Sequence, residues 1–429
     1  MQIENFINQT EGLTKYSISL NWSAEISWNN LNSDPAFGIV INQKIKWFHA
    51  KPKIIETLRA ALKKRITSTD FQVFYNLGSH ISKGQNSYCY EFISNSDYQL
   101  NYVAKLIKRE QIRDINQLYN ELNILKILNH QGLPKFVEFF RTDNTYYIVM
   151  EKIEGQKLSR LNSTKKQQLS LIQIQSIIIQ CLKILQYLEQ IQVIHRDIQP
   201  DNIIYHQNMQ TSSVKLIDFA KASISGTDQK ILGTPGFIAP EILRENKYST
   251  ESDMFSLGCV FYKLLVKQDL FQGISRDDTL KENQKCLFNL RNLQLIRIPQ
   301  SAQHLLSQML QIDPKQRIKP IEALNHHFFK EPIENLSSPK MSTRNLPLKQ
   351  SIHNLDSILT NPSQNQLNLL DQQILIDYFQ NELPPINSVP VMKQVKGGYR
   401  FTPQAETDII KNCEATSTSK KSQTENISN

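Results

Sequence analysis

The run VIHRDIQPDNIIY at residues 193–205, followed from residue 214 by VKLIDFAKAS, constrains this chain more than any other stretch. Two apolar, strand-like segments bracket a charged loop in which Asp197 and Asn202 lie five positions apart. A further apolar segment then delivers Asp218. This order sets three oxygen-bearing side chains beside one cleft, and Mg2+ ions that bridge nucleotide phosphates need hard oxygen ligands of that type.

An H-R-D triplet alone would mean little, but the ordered set resembles the eukaryotic protein kinase family, whose catalytic loop reads H-R-D-x-x-x-x-N and whose metal motif reads D-F-G. The resemblance covers about 255 residues in order, and it implies an α+β, two-lobed fold with a small β-rich N-lobe and a larger helical C-lobe. By resemblance, Asp197 is the catalytic base, while Asn202 and Asp218 are the metal ligands for Mg2+, with Mn2+ as a substitute. NYVAKLIKRE is similar to the family's V-A-I-K strand, which makes Lys105 the contact to the α and β phosphates of ATP. Glu121, sixteen residues later in a helical run, then becomes its αC ion-pair partner. TYYIVMEKIEG resembles the strand leading into the hinge. Met150 is there the gatekeeper, and backbone groups near Glu151 and Ile153 meet the adenine. LGTPGFIAPE resembles the P+1 loop and A-P-E motif, so Glu241 is expected to pair with Arg317, while Asp253 braces the catalytic loop from below. His195 is given a packing role behind that loop.

Three departures from the family pattern set expectations of their own. The Gly-rich loop appears as SKGQNSYC, with Ser82, Gly84, Ser87 and Cys89 at the G, G, G and V positions, in a chain holding only 13 glycines. Serine adds a side chain where bare backbone N–H groups approach phosphate, so weaker ATP binding is expected. Gln199 stands where Ser/Thr kinases carry a lysine near the transferring phosphate, and loss of that charge would lower kcat by about 10- to 1000-fold unless another donor substitutes. D-F-G reads Asp218-Phe219-Ala220, and Ala220 is expected to stiffen the loop by disfavouring positive φ. In the activation segment Lys230 replaces a phosphorylatable threonine, which leaves Ser223, Ser225 and Thr227 as candidate regulatory sites.

The resemblance therefore implies a Ser/Thr protein kinase transferring the γ-phosphoryl group of Mg-ATP to protein hydroxyls, closest in wording to the calcium/calmodulin-dependent kinase group. A basic residue upstream of the target hydroxyl goes with that group. The alternative is a pseudokinase or scaffold that keeps the fold for protein binding. Retention of Asp197 with Asn202 and Asp218 argues for catalysis. No D-x-D-x-D-G calcium loop is visible.

The kinase domain is placed at residues 72–329. Residues 1–66 read as short strands closed by a basic helix that begins near Pro52, with Ile54, Ile55, Leu58, Ala61 and Leu62 at helical spacing. This stretch weakly resembles the closing part of a pleckstrin-homology domain, although it is short for one, and a phosphoinositide or membrane surface is the partner such a module implies. Beyond residue 330 the composition turns to Ser, Asn, Gln, Thr and Pro, which predicts a largely disordered tail with one helix near 366–382. The net charge of +9 is spread along the chain, so nucleic acid is not required as a partner. Five cysteines without a C-x-x-C pair suggest reduced thiols and a cytoplasmic location. The N-terminus lacks a signal-peptide pattern.

Overall fold

The structure, a computed structural model, describes residues 2–9, 12–29, 34–41, 44–84, 87–96, 101–161, 169–208, 212–224, 231–288, 290, 298–330, 392–395 and 398–401. The expected helix near 366–382 and the segment 225–230, with Ser225, Thr227 and Lys230, lie outside the described residues. The chain divides into two units, residues 1–66 with 340–429, and residues 67–339.

In the first unit β1 (Gln2–Gln9) and β2 (Gly12–Ser19) form an antiparallel hairpin. β3 (Glu25–Asn29), β4 (Ala36–Ile41) and β5 (Lys44–His49) form an antiparallel meander. Ile26 and Trp28 alternate inward along β3, and the Phe37 ring, 5.1 Å from that of Phe48, continues the apolar face. α1 (Pro52–Leu62) opens with proline at its first turn and buries Ile54, Ile55 and Leu62. Leu58 is half-buried and Ala61 is exposed, so the apolar stripe is narrower than the spacing suggests. The sheet also takes strands from far along the chain. A hairpin of Met392–Val395 and Gly398–Phe401 lies beside β5, where Tyr399 and Arg400 pair in parallel with Phe48 and His49. The sheet of this unit is therefore not confined to the first 66 residues.

The second unit begins before residue 72. β6 (Thr67–Ser68) pairs in parallel with β10 (Phe136–Arg141), and the Ser68 hydroxyl donates 2.9 Å to the buried Glu138 carboxylate. α2 (Phe71–Phe74) then sets Phe71 among aromatic rings, with its centroid 4.1 Å from Tyr147 and 5.2 Å from Phe140. Within this unit the small-lobe sheet has the order β6, β10, β11 (Thr145–Glu151), β9 (Asn101–Lys108), β8 (Tyr88–Ser94), β7 (Tyr75–Lys83). α3 (Ile115–Ile127) starts on Asp114, whose carboxylate accepts the Asn116 N–H at 2.9 Å.

The larger lobe follows β12 (Gln156–Lys157) and α4 (Leu158–Leu161). α5 (Leu171–Gln190) carries a Ser170–Gln173 capping box. Its length and mean hydropathy of 1.4 would let it cross a membrane by composition. Here Ile174, Ile177, Ile178, Leu182 and Leu185 are instead buried in the lobe, against α7 (Thr250–Val266) and β15 (Ser212–Leu216). Gly258 in α7 allows a close crossing, because a Cβ there would lie 2.9 Å from Leu310. β13 (Val193–Ile194), β14 (Ile203–Gln207) and β16 (Ser223–Ile224) frame the catalytic loop. α6 (Pro240–Glu245), α8 (Arg276–Lys285), α9 (Gln300–Met309) and α10 (Pro320–Leu324) complete the lobe.

Candidate active site

The β14–β15 register explains why Asn202 and Asp218 meet. Ile203 pairs with Leu216, so the residues just outside that pair, Asn202 and Ile217, close the hairpin end through Ile217 N–H to Asn202 O at 2.8 Å. Asp218 follows at once. On the other side of the loop, β13 pairs with β16 as Val193 with Ile224 and Ile194 with Ser223. Ser223 is thereby buried, which removes it as an accessible phosphorylation site in this conformation.

Glu121 sits on the buried face of α3 with Leu118, Leu122 and Leu125. A carboxylate on an apolar face requires a partner, and Lys105 Nζ stands 2.7 Å from Glu121 Oε1 and 3.0 Å from Asp218 Oδ1. Burial alone would lower the Lys105 pKa, but the carboxylates of Asp218 and then Glu121 outweigh it and hold the ammonium charged. In return Lys105 holds the Asp218 carboxyl down at about 2, so that side chain is ionised across the neutral range.

Asp197 is buried and meets several donors. Its Oδ1 accepts from the Thr234 hydroxyl at 2.7 Å. Its Oδ2 accepts from Asn202 Nδ2 at 3.1 Å, Gln199 Nε2 at 3.3 Å and Lys221 Nζ at 2.9 Å. Asn202 also donates to the Asp197 carbonyl at 2.9 Å, an arrangement that commits its amide nitrogen and leaves its amide oxygen as the atom a cation would meet. A carboxylate and an amide oxygen at one hairpin end are a donor set that fits a hard divalent cation. The loop is held from below by Asp253, which accepts the backbone N–H groups of His195 at 2.6 Å and Arg196 at 2.9 Å. His195 accepts the Asp197 N–H at Nδ1 and so carries its proton on Nε2, aimed at Ile217 O 3.1 Å away. Burial lowers its pKa. A neutral ring committed at both nitrogens has no lone pair left for base chemistry.

The remaining positions fall along the upper wall. Cys89 is the cross-strand partner of Lys105, which in turn is paired with Ile148. Ser82 pairs with Cys89, and Gly84 N–H donates to Ser87 O at 2.8 Å, closing the hairpin tip. Burial raises the Cys89 thiol pKa, so it is not an activated nucleophile. Met150 faces Val103 and Phe136 across the sheet, and the Glu151 N–H donates to Lys135 O at 3.0 Å. Ile153 follows in the hinge, where Lys152 is tied to Glu91 of β8 at 2.8 Å. Restoring both glycines, Ser82→Gly with Ser87→Gly, is expected to lower the KM for ATP roughly 3- to 10-fold, the equivalent of about 1 kcal/mol. Steady-state kinetics at varied ATP checks it, and an unchanged KM would show that the serines do not hinder approach.

At Ala220 the backbone stays out of the region that alanine disfavours. Positive φ falls on Asp218, at 66°, and not on Ala220, so alanine costs no backbone strain in this conformation. Arg196 likewise takes φ 64°. Glu241 and Arg317 make the expected pair, with Arg317 NH1 2.8 Å from Oε1 and NH2 3.0 Å from Oε2. Sequence reading missed the Thr234 and Lys221 contacts to Asp197. For Lys221 a signal was present, since a lysine three residues after Asp218 coincides with the missing lysine at 199.

Outside the cleft, His304, His326 and His327 bring ring nitrogens within 4.8 Å of one another. His326 accepts the Phe328 N–H at Nδ1 and therefore presents Nε2–H to His304 Nδ1 at 2.8 Å. A ring so protonated has no lone pair to give a metal, and the trio is a C-lobe hydrogen-bonded cluster.

The family described as protein kinase domain matches residues 75–329. Calcium-dependent protein kinase 5 of Plasmodium falciparum is 32% identical over 230 residues, covering 53% of this chain and 40% of the relative. The protein of the same description from Plasmodium berghei is 28% identical over 320 residues, 74% of this chain and 53% of the relative. A probable serine/threonine-protein kinase of Zea mays is 30% identical over 264 residues, 60% of this chain and 41% of its own. The chain spans about half the length of the curated relatives it matches. Because the matched span contains the whole cleft, from the Ser82 hairpin to the Glu241–Arg317 pair, the chain belongs to the protein kinase family.

Proposed function

We propose that the chain is a Ser/Thr protein kinase that moves the γ-phosphoryl group of Mg-ATP to protein hydroxyls. The observation that carries the reading is Lys105, whose ammonium bridges Glu121 and Asp218 within 3.0 Å. That bridge needs the α3 helix and the metal-ligand loop both turned into the cleft, which is the arrangement phosphoryl transfer requires. A pseudokinase has no need of it.

In this reading Lys105 contacts the α and β phosphates as a point cation, and Glu121 fixes its position. Asn202 and Asp218 would hold the divalent cation, which would neutralise charge on the phosphates. Asp197 orients the incoming hydroxyl and takes its proton, while Thr234 and Asn202 fix the carboxylate against rotation. The Thr234 contact, with Pro200 in the loop, favours Ser or Thr over Tyr as acceptor. Gly233 makes it reachable, since its φ of 126° turns the chain so that a Cβ would meet Ile238 at 2.9 Å. The strand and helix content of the terminal module names no ligand by itself, so phosphoinositide binding is not part of this proposal.

Label transfer from ATP to a library of basic peptides with Mg2+ or Mn2+ tests the assignment. Wild type is expected to incorporate label and Asp218→Asn to lose it. Folded wild type that labels no more than the variant would replace the kinase reading with the scaffold one.

A further inference from the structure

We propose that Lys221 supplies at the transfer site the positive charge that Gln199 does not, so that the catalytic lysine of this enzyme enters from the turn after Asp218 instead of from the catalytic loop. The inference rests on the kinase reading above. Lys221 Nζ is 2.9 Å from Asp197 Oδ2, and Gln199 Nε2 reaches that same oxygen at 3.3 Å. The two side chains thus converge on one point, one of them neutral and the other cationic.

The turn that carries Lys221 is fixed from several directions. Arg196 Nε donates 2.6 Å to the Lys221 carbonyl. From α3, Asn120 Nδ2 donates 2.8 Å to the Ala222 carbonyl and Gln117 Nε2 donates 3.4 Å to that of Ala220. Ala222 N–H closes the turn on Phe219 O at 3.0 Å. A lysine on a mobile loop would spend most of its time in water; this one is placed on the base. Its side chain remains 32% exposed, so it is reachable from the cleft. An ammonium has three N–H donors, so one can stay on Asp197 while the others meet oxygens of the group in flight. In the step itself the bond from the γ-phosphorus to the oxygen bridging it to the β-phosphate breaks, with its electron pair leaving on ADP. The bond from phosphorus to the substrate hydroxyl oxygen forms, and the hydroxyl proton passes to Asp197. Lys221 stabilises the charge on the equatorial oxygens during that passage and is unchanged by it.

The test compares full-length wild type with Lys221→Met, Lys221→Arg and the double variant Gln199→Lys/Lys221→Met, in peptide phosphorylation at varied ATP. Lys221→Met is expected to lower kcat by about 10- to 1000-fold with the KM for ATP little moved, because the ground-state phosphate contact belongs to Lys105. Lys221→Arg keeps the charge and retains most of kcat. The double variant, with the lysine moved back to the catalytic loop, recovers at least tenfold over Lys221→Met. That recovery is what a merely structural role for Lys221 cannot produce. An unchanged or raised kcat in Lys221→Met overturns the proposal, the latter by making Lys221 a latch on Asp197, and so does a double variant no faster than the single one. Thermal unfolding of each protein identifies loss of fold, in which case Lys221→Arg against wild type decides. If wild type itself transfers no phosphate the kinase reading falls with the proposal; if wild type is active and Lys221→Met equals it, only the proposal falls.

Discussion

Asp197→Asn is expected to lower kcat by about 10²- to 10⁴-fold, the contribution of a positioned general base. The KM for ATP should stay close to wild type, because the Lys105 bridge to Glu121 and Asp218 does not involve Asp197. The reasoning is local. Asp197 accepts from Thr234, Asn202, Gln199 and Lys221, and an asparagine of the same shape turns one acceptor into a donor facing donors. It also loses the charge that takes the proton. Steady-state kinetics and nucleotide binding measured on the same preparations separate the two effects. A variant that lost nucleotide affinity and kept kcat would move Asp197 out of base chemistry and into ATP binding.

Arg317→Met is expected to be the most damaging single change to stability. The guanidinium is fully buried and meets Glu241 with both terminal nitrogens. It also donates to the carbonyls of Gln311 at 3.0 Å and Glu251 at 2.6 Å, and lies 5.1 Å over the Phe255 ring. Its removal leaves the Glu241 carboxylate buried with, among the described residues, only the Ser252 hydroxyl, 2.9 Å away. Breaking a buried pair in this way costs roughly 3–5 kcal/mol. For a unit of this size that lowers Tm by on the order of 6–20 °C. Glu241→Gln should cost less, since the arginine keeps its carbonyl acceptors. Scanning fluorimetry of both variants checks the order. A Tm fall from Arg317→Met no larger than that of a surface Lys→Met change would mean the pair is not holding α6 to the end of the lobe.

The parts of this site that could be read from sequence are those written into short stretches with a fixed order. Asp197, Asn202 and Asp218 are neighbours because one hairpin register makes them so, and that register follows from two apolar strands of fixed length. Lys105 and Glu121 are 16 positions apart on a strand and the next helix, a distance over which pattern survives. The contact of Lys221 with Asp197 was harder to read because it depends on how the chain turns after Phe219, and local sequence does not state which way a lysine points. That the positive φ of this turn falls on Asp218, two residues before Ala220, was equally hidden, because local sequence does not say which residue of a turn takes the left-handed conformation. Phe71 escaped as well, since its partners Phe140 and Tyr147 come from strands some 70 residues downstream, and nothing in FQVF announces them. Strands Met392–Val395 and Gly398–Phe401 were hidden by brevity: four residues each, amid polar sequence, give no periodicity to read.

That late hairpin has a consequence for how the protein is made. The meander Glu25–His49 leaves the ribosome early, but the strands that extend its sheet lie on the far side of the entire kinase domain. At ordinary elongation rates of about 5–20 residues per second, the about 340 residues between His49 and Met392 take roughly 20–70 s to synthesise. For all of that interval the β5 edge, with its open N–H and C=O groups, is a place where another nascent chain could pair. The kinase domain meanwhile has time to fold as a unit. A newborn molecule can thus hold a finished kinase fold while its terminal sheet still awaits these strands, and a ribosome that stalls in the tail would release a chain whose sheet ends at β5.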